Sequence, residues 1–311
     1  MRLLGVSAGA AGGSAEILLK AALMEGEAAG AEVSWLMLDE LRISTGPTLG
    51  HADDDCRWFW EQVMAADGVI YSSPIYSRTI PGKLRLLTDR VFGPHADVGF
   101  IELLLERERA GTPVAVPFTP DERALAPRVC GFLATGGALG TQWNTLALPL
   151  MHSLAFSLRS GVVDQAVFAG AGTPASIVLF PESLARAREL GRNVAAQLGR
   201  PYDEVEYRGP PGLCPLCHLN VIDVRDAGVV ECASCGAEGR LVMRDGAPRV
   251  TFEDPAGLAK SVTAMAEKRH HSEEILATAA AHAARADEVA AGAAVYADWG
   301  AQIRPEVREG R

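Results

Sequence analysis

Arg2-Leu3-Leu4-Gly5-Val6-Ser7-Ala8-Gly9-Ala10-Ala11-Gly12-Gly13-Ser14 is a short apolar run that breaks into a glycine-rich turn. The Ala/Leu/Glu-rich stretch Ala15 to Ala29 then reads as a helix, and Glu32 to Leu38 as a second strand. Strand, loop, helix and strand in that order form the repeating unit of a parallel sheet, because parallel neighbours need a long crossover. The rhythm continues outward. A loop with Asp53-Asp54-Asp55 precedes a helix through Trp58, Phe59, Trp60 and Met64. Gly68 to Ser73 reads as a third strand, stopped by Pro74, which cannot donate within a central ladder. A helix from about Pro81 to Phe92, a fourth strand Val129 to Ala134, a helix from about Trp143 to Arg159, a fifth strand Val162 to Phe168 and a helix Ser183 to Leu198 complete the alternation. The pattern predicts an α/β fold with a doubly wound, five-stranded parallel sheet.

Two segments depart from the rhythm. Between Gly93 and Arg128 lie a helical stretch, Phe100 to Arg109, and four prolines at 113, 117, 120 and 127. Connections this long are lids, binding loops, interface arms or plain surface insertions. After Gly209-Pro210-Pro211-Gly212, a linker signal, come short β-rich runs at Asn220 to Val224, Gly228 to Cys232 and Arg240 to Arg244. Asp254-Pro255 reads as an N-cap with proline at the first helical position. The Ala-rich remainder to about Trp299 reads as one long helix or two shorter ones, with apolar positions 258, 262 and 265, and 276, 280 and 283, suited to packing. The expected units are therefore residues 1–208 with an insertion at about 93–128, a β-rich module at 209–252, and a helical segment at 253–311.

Size and charge narrow the function classes. At about 150 residues per domain, 311 residues leave room for two. There are 29 basic and 39 acidic residues, a formal net charge of -10. That sign argues against coating nucleic acid or anionic membrane. No apolar run approaches the roughly 20 residues that span a bilayer, and the first residues run into a glycine loop instead of a signal-peptide core. The expectation is a cytoplasmic protein without nucleic-acid or membrane partners.

Loops that lead into helix N-termini gather backbone N–H groups and the positive end of the helix dipole, so they suit phosphate. Ser7 to Ser14 has that form. It is neither a Walker A loop nor a G-x-G-x-x-G fingerprint, since no Gly-Lys-Ser/Thr follows and Gly9 and Gly12 fall at other offsets. On this segment alone, a loop that merely turns the chain stays open. In doubly wound sheets, however, ligands sit outside the carboxyl ends of the strands. Three ends carry small or polar residues: Ser7-Ala8-Gly9, Ser73-Pro74-Ile75-Tyr76 and Ala134-Thr135-Gly136-Gly137. A phosphate loop beside a flat pocket with peptide donors is a flavin-shaped site.

Residues Met1 to about Leu198 resemble the NADPH-dependent FMN reductase branch of the flavodoxin-like flavoproteins. The resemblance rests on Gly5-Val6-Ser7 through Gly12-Gly13-Ser14, on Asp67 to Tyr76 with Pro81-Gly82-Lys83-Leu84 and Asp89-Arg90, and on Ala134-Thr135-Gly136-Gly137. It implies FMN, with the phosphate held by Ser7, Gly9, Gly12, Gly13 and Ser14. The ring would lie between Ser73, Pro74, Ile75 and Tyr76 on one side and Thr135, Gly136 and Gly137 on the other. It further implies NADPH or NADH as hydride donor, a homodimer or homotetramer, and a small organic acceptor such as a quinone, a nitro or azo compound, free flavin or a biosynthetic intermediate. Relatives carry an Arg or another polar residue where this chain has Ala10 and Ala11. Cys56 stands alone, so an iron–sulfur centre is not expected. Tyr76 is read either as a ring or substrate contact or as core, and Trp143 and Asn144 either as cleft residues or as helix caps. A non-catalytic redox sensor that binds a partner and a flavodoxin-type carrier are the competing readings.

The remaining chemistry lies in two cysteine pairs, Cys214-Pro215-Leu216-Cys217 and Cys232-Ala233-Ser234-Cys235, with 14 residues between them. Two such turns place four thiolates around a tetrahedral ion with Zn–S near about 2.3 Å, and Gly236 suits a knuckle turn. Structural zinc in a zinc ribbon is the reading; rubredoxin-type iron and redox disulfides are the alternatives. From Gly209 to Val250 four Arg face five Asp/Glu, which disfavours nucleic acid. His270-His271 and His282 are read as surface residues of the last helix, since adjacent residues on a helix diverge.

Overall fold

The computed structural model describes residues 1–46, 53–297, 300, 301 and 303. Strands β1 (Arg2–Ser7), β2 (Glu32–Met37), β3 (Gly68–Pro74), β4 (Val129–Thr135) and β5 (Gly161–Phe168) form one parallel sheet in the order β2-β1-β3-β4-β5. The parallel sheet is the one the alternation predicts, and its order is the flavodoxin-like one the resemblance implies. Helices α1 (Ser14–Ala28), α2 (Cys56–Met64), α3 (Gly82–Val91), α4 (Val98–Arg109), α5 (Ala147–Met151), α6 (Ser153–Phe156) and α7 (Pro181–Ala195) flank it.

Strand periodicity sends neighbouring side chains to opposite faces. Leu4, Val6 and Phe132 pack with Phe59, Trp60, Leu87 and Leu154 on one side. Leu3, Ile70 and Leu133 pack with Leu18, Leu19, Leu190 and Val194 on the other. α1 and α7 cross so closely that a Cβ on Gly191 would lie 2.0 Å from the Ala22 carbonyl oxygen. The register pairs Ser7 with Ser72, Ser73 with Ala134 and Pro74 with Thr135, which aligns three strand ends along one edge.

Beneath α3, the fully buried Arg90 pairs with Asp54, whose carboxylate also accepts the Ser44 hydroxyl at 2.6 Å. Burial opposes ionisation of Asp54, but the bonds from Ser44 and Arg90 outweigh it and hold the carboxyl down at about 2. The folded value is below the ordinary 3.8. The stabilisation is therefore present above pH 3.8 and lost as pH falls from there through about 2. Asp54→Asn removes the carboxylate that meets the buried guanidinium, so urea unfolding should show a loss of about 3–5 kcal/mol. A loss below about 1 kcal/mol, the scale of an exposed pair, would refute the assignment.

The expected helix from Trp143 to Arg159 is broken. Thr141–Trp143 form a 3-10 turn, α5 starts only at Ala147, and α6 follows after His152. Proline is tolerated only in a first helical turn, and this start places Pro149 there. The 93–128 segment is docked and not loose: α4 buries Val98, Phe100, Ile101, Leu103 and Leu104. Asp97 caps α4 through the Gly99 and Phe100 amides and pairs with Lys268 at 2.6 Å.

The β-rich module is an antiparallel sheet of β6 (Ile222–Val224), β7 (Val229–Cys232), β8 (Glu238–Arg244) and β9 (Ala247–Thr251) in sequential order. β9 was not expected from the sequence. Its signal is Asp245-Gly246, both at positive φ (54° and 74°), the two-residue hairpin turn.

Asp254 caps α8 (Pro255–Leu258) by accepting from the Ala256 amide, with Pro255 at the first position as expected. The helix then stops. The Ser261 and Thr263 hydroxyls bond each other at 2.9 Å, and Ser261 Oγ accepts the Thr263 amide, a local alternative to helix. Consequently 258, 262 and 265 do not share one helical stripe. α9 (Met265–Ala283) and α10 (Ala286–Ala294) follow, so among the described residues the remainder is three helices and not one or two. Leu276 is half-buried, while Ala280, Ala283, His270, His271 and His282 are exposed. Trp299 lies outside the described residues. By its contacts the chain divides into two compact units, Met1–Arg269 and His270–Arg311. Among the described residues, no helix is long and apolar enough to cross a membrane.

Candidate active site

The aligned carboxyl ends of β1, β3, β4 and β5 open onto a cavity of about 340 Å³. Its walls bring together Gly9, Gly13 and Ser14 from the first loop, Pro74, Ile75 and Tyr76 from the second, and Thr135, Gly136 and Gly137 from the third. Ala10 and Ala15 contribute as well. Ser7, Gly12 and Ser73 are not in the lining: Ser7 and Ser73 are buried, and Gly12 is exposed at the outer turn of the loop. Ser73 Oγ donates to the Pro74 carbonyl at 2.9 Å.

A fourth wall, Ala171-Gly172-Thr173-Pro174, was missed in the sequence. The rule that picked the other three loops, small residues just past a strand, applies equally to Gly170-Ala171-Gly172 after β5. Gly137 and Gly172 meet there, and a Cβ on Gly137 would lie 2.7 Å from the Gly172 Cα. A Cβ on Gly136 would lie 3.0 Å from Asn144 Oδ1. The glycines are what keep this wall thin.

The donors are unevenly committed. The Ile75 amide donates to the Thr135 carbonyl at 2.7 Å, and the Gly136 amide to Phe168 O at 2.9 Å. Gly136 N–H is therefore spent on the sheet and does not face the cavity. α1 starts at Ser14 with Gly13 as N-cap and no side-chain cap, which leaves its first-turn amides as the orphan donors of a helix start. Ser7 Oγ and Thr135 Oγ1 are buried hydroxyls with no hydrogen-bond partner among the described residues. Uncapped amides, the unpartnered Thr135 hydroxyl and glycine walls fit a phosphorylated planar ligand such as FMN.

Glu16 is an unforeseen member. Its carboxylate accepts the Gly12 amide at 2.6 Å and pairs with Lys20. The Lys20 bond draws its pKa down, against burial and with help from Gly12. A formal negative charge thus stands beside the first loop.

Tyr76 is 58% exposed and sits on a turn closed by Thr79. Ser77 and Arg78 hold positive φ of 47° and 75° there, strained for non-glycine residues and common at functional edges. Arg78 Nε donates to the Gln142 carbonyl at 2.8 Å, bridging the second and third loops. Trp143 is exposed, whereas Asn144 is buried and donates to the Ala138 and Gly140 carbonyls at 3.1 and 3.3 Å. Asn144 thereby fixes the third loop. Burial pushes the Cys56 thiol up to about 11, so it offers no reactive thiolate.

Cys214, Cys217, Cys232 and Cys235 are all buried, and their sulfurs lie within 4.8 Å of one another. The closest pairs, Cys214 with Cys235 and Cys217 with Cys232, are 3.5 and 3.4 Å apart. That is far from a disulfide bond of about 2.05 Å and near the about 3.8 Å edge of a tetrahedral zinc–thiolate site. Gly236 takes φ 74° in the second knuckle, as expected, and His218 takes φ 57° in the first. His218 stacks on Tyr207 with ring centroids 3.6 Å apart.

The profile of the NADPH-dependent FMN reductase family matches residues 1–173. Flavone synthase cfoJ of Aspergillus candidus is 36% identical, over 88% of this chain and 88% of its own. A solved flavone reductase is 30% identical with a TM-score of 0.82, covering 98% of this chain and 100% of its own. A solved NAD(P)H:quinone oxidoreductase from Methanothermobacter marburgensis is 16% identical with a TM-score of 0.43, covering 62% and 96%.

Proposed function

The chain belongs to the NADPH-dependent FMN reductase family and is an NAD(P)H-dependent flavin oxidoreductase, and on that premise we propose that its acceptor is a flavonoid. The observation that carries this reading is the extent of the likeness. The solved flavone reductase covers 98% of the chain, ribbon included, where the family profile ends at residue 173. One relative is named for making a flavone and the other for reducing one. For this chain the shared chemistry is the two-electron interconversion of a flavone and its 2,3-dihydro form. In the reducing direction, NAD(P)H supplies a hydride that ends on C2 of the enone, a solvent proton goes to C3, and NAD(P)⁺ leaves.

FMN, when bound, relays that hydride; the residues orient and enclose. The first-turn amides of α1, with Gly9, Gly13 and Ser14, would hold the phosphate, supported by Ser7 and Gly12 from behind. Pro74, Ile75 and Tyr76 would flank the ring on one side, with Ser73 beneath them, and Thr135, Gly136 and Gly137 on the other. We assign the flavin-binding domain to residues 1–208, a zinc ribbon held by Cys214, Cys217, Cys232 and Cys235 to 209–252, and a helical segment to 253–311. A homodimer or homotetramer is expected, and light scattering on the FMN-loaded protein reads it directly.

The test of the acceptor is turnover under nitrogen with NADPH and apigenin, followed by mass spectrometry. The expected product carries two more hydrogens than apigenin. Oxidation of NADPH by a quinone with no conversion of apigenin would overturn the flavonoid assignment.

Glu16 gives a second test. Its charge opposes a phosphate at the same helix end, so Glu16→Gln should tighten FMN by about two- to fivefold, the scale of one charge at a helix terminus. Fluorescence titration reads the change; weaker binding would show that Glu16 serves to hold the loop.

A further inference from the structure

We propose that the ribbon is a working part of the active site: its Leu219-Asn220-Val221 loop forms one wall of the acceptor pocket. The inference rests on the flavonoid reading above and adds where the acceptor sits and what shapes its place.

Next to the flavin-shaped cavity lies a second one of about 400 Å³, within the about 300–1,000 Å³ range of small-ligand sites. It is lined on one side by the third loop and α5, through Leu139, Thr145 and Leu148, and on the other by the ribbon loop. Val167 and Ala169, at the end of β5, form its floor. The two cavities share structure. Asn144 lines the second cavity, and its Oδ1 is 3.0 Å from the Cβ position of Gly136 in the first. Leu139 stands 3.3 Å from the Cβ position of Gly170, just before the Ala171–Pro174 wall. A mostly aliphatic slot with a few hydroxyl and amide groups suits a flat phenolic ring system.

The ribbon loop is fixed from two directions. Within the ribbon, the Leu219 carbonyl accepts the Cys214 amide at 3.1 Å, and the Val221 carbonyl accepts the Ala233 amide at 3.0 Å. Each cysteine pair therefore grips one end of the three-residue wall. From the sheet, Gln165 on β5 donates its amide to the Cys217 and His218 carbonyls at 3.0 and 3.3 Å. Gln165 Oε1 lies 2.7 Å from His152 Nε2, and burial pushes that histidine down to about 4, so the ring is neutral and donates. The wall is thus registered to the floor by a buried network. A metal that closes the four thiolates would set the width of the slot from about one ligand shell away.

The test uses the FMN-loaded full-length protein and apigenin as probe, with binding read from the change in flavin absorbance. Asn220→Trp on the exposed ribbon side and Thr145→Trp on the opposite wall should each fill the slot. The expected result is at least a tenfold weaker affinity for apigenin in both, with FMN affinity changed less than twofold as the measure of an intact sheet unit and slow hydrogen exchange in β7 and β8 as the measure of an intact ribbon. Val221→Ala, which removes only two methyls from the wall, covers the case in which Asn220→Trp fails to fold; it should weaken apigenin at least threefold. Unchanged apigenin affinity in a folded ribbon variant overturns the inference and leaves the flavonoid reading standing. Failure of the wild-type protein to bind apigenin while it binds FMN overturns the flavonoid reading itself, and this inference with it.

Discussion

Cys217→Ser is expected to empty the ribbon of metal and to unfold it while leaving the parallel-sheet unit folded. The buried cluster of the ribbon consists of Cys214, Cys217, Leu219, Cys232, Cys235 and Ala237. Four of those six side chains are the proposed metal ligands. Besides the cysteines, the ribbon fully buries only Leu219, Val230 and Ala237, with a few partly buried apolar side chains around them, a core too small to offset the chain entropy of some forty residues at about 1–2 kcal/mol each for the backbone alone. Metal affinity of about 10–16 kcal/mol in small zinc modules is of the size required. The sheet has its own two cores, on its two faces, and neither contains a ribbon cysteine. Metal analysis should give one zinc per wild-type chain and close to none in the variant. Hydrogen exchange should speed up throughout the ribbon strands and remain slow in β1, β3 and β4. Iron in place of zinc would restore the rubredoxin-type alternative, and retained protection in the ribbon of the variant would contradict the structural role altogether.

Gly137→Val is the second large effect. The Cβ of the new side chain would lie 2.7 Å from the Gly172 Cα, a distance that forces the loops after β4 and β5 apart. Both loops wall the flavin-shaped cavity. Gly137 and Gly172 themselves are outside the buried clusters of the sheet, so thermal stability should change little. FMN affinity should fall by about 100-fold, which is about 2.7 kcal/mol. Purified protein should be nearly colourless, and fluorescence titration gives the constant. Affinity within threefold of wild type would mean that this wall does not touch the flavin.

Much of this was open to reading because the fold repeats one local signal. A strand that ends in small polar residues before a helix marks the ligand edge of a parallel sheet, and Ser7-Ala8-Gly9, Ser73-Pro74 and Thr135-Gly136-Gly137 carry it without tertiary information. The same signal in Gly170-Ala171-Gly172 was legible and was passed over, as was the Asp245-Gly246 hairpin that makes β9. Pro149 likewise marks where the broken helix must start. Other features had no local trace. Glu16 looks like any helical glutamate until its carboxylate meets the Gly12 amide. Arg90 sits within the motif that suggested a cofactor site, yet it is buried against Asp54, 36 residues away. The seat of the ribbon on Gln165 spans 52 residues to Cys217. Long-range polar contacts depend on where whole elements pack, and residue spacing does not encode that.

The central claim is that this flavin site and its neighbouring slot pass a hydride to a flavonoid enone. The most direct measurement is an anaerobic titration in which the FMN-loaded protein is bleached with one equivalent of NADPH and then given apigenin. The account predicts that the flavin colour returns in step with formation of dihydro-apigenin, one molecule for each flavin reoxidised. Flavin that bleaches fully and stays bleached with apigenin present, yet is reoxidised by a simple quinone, would contradict it.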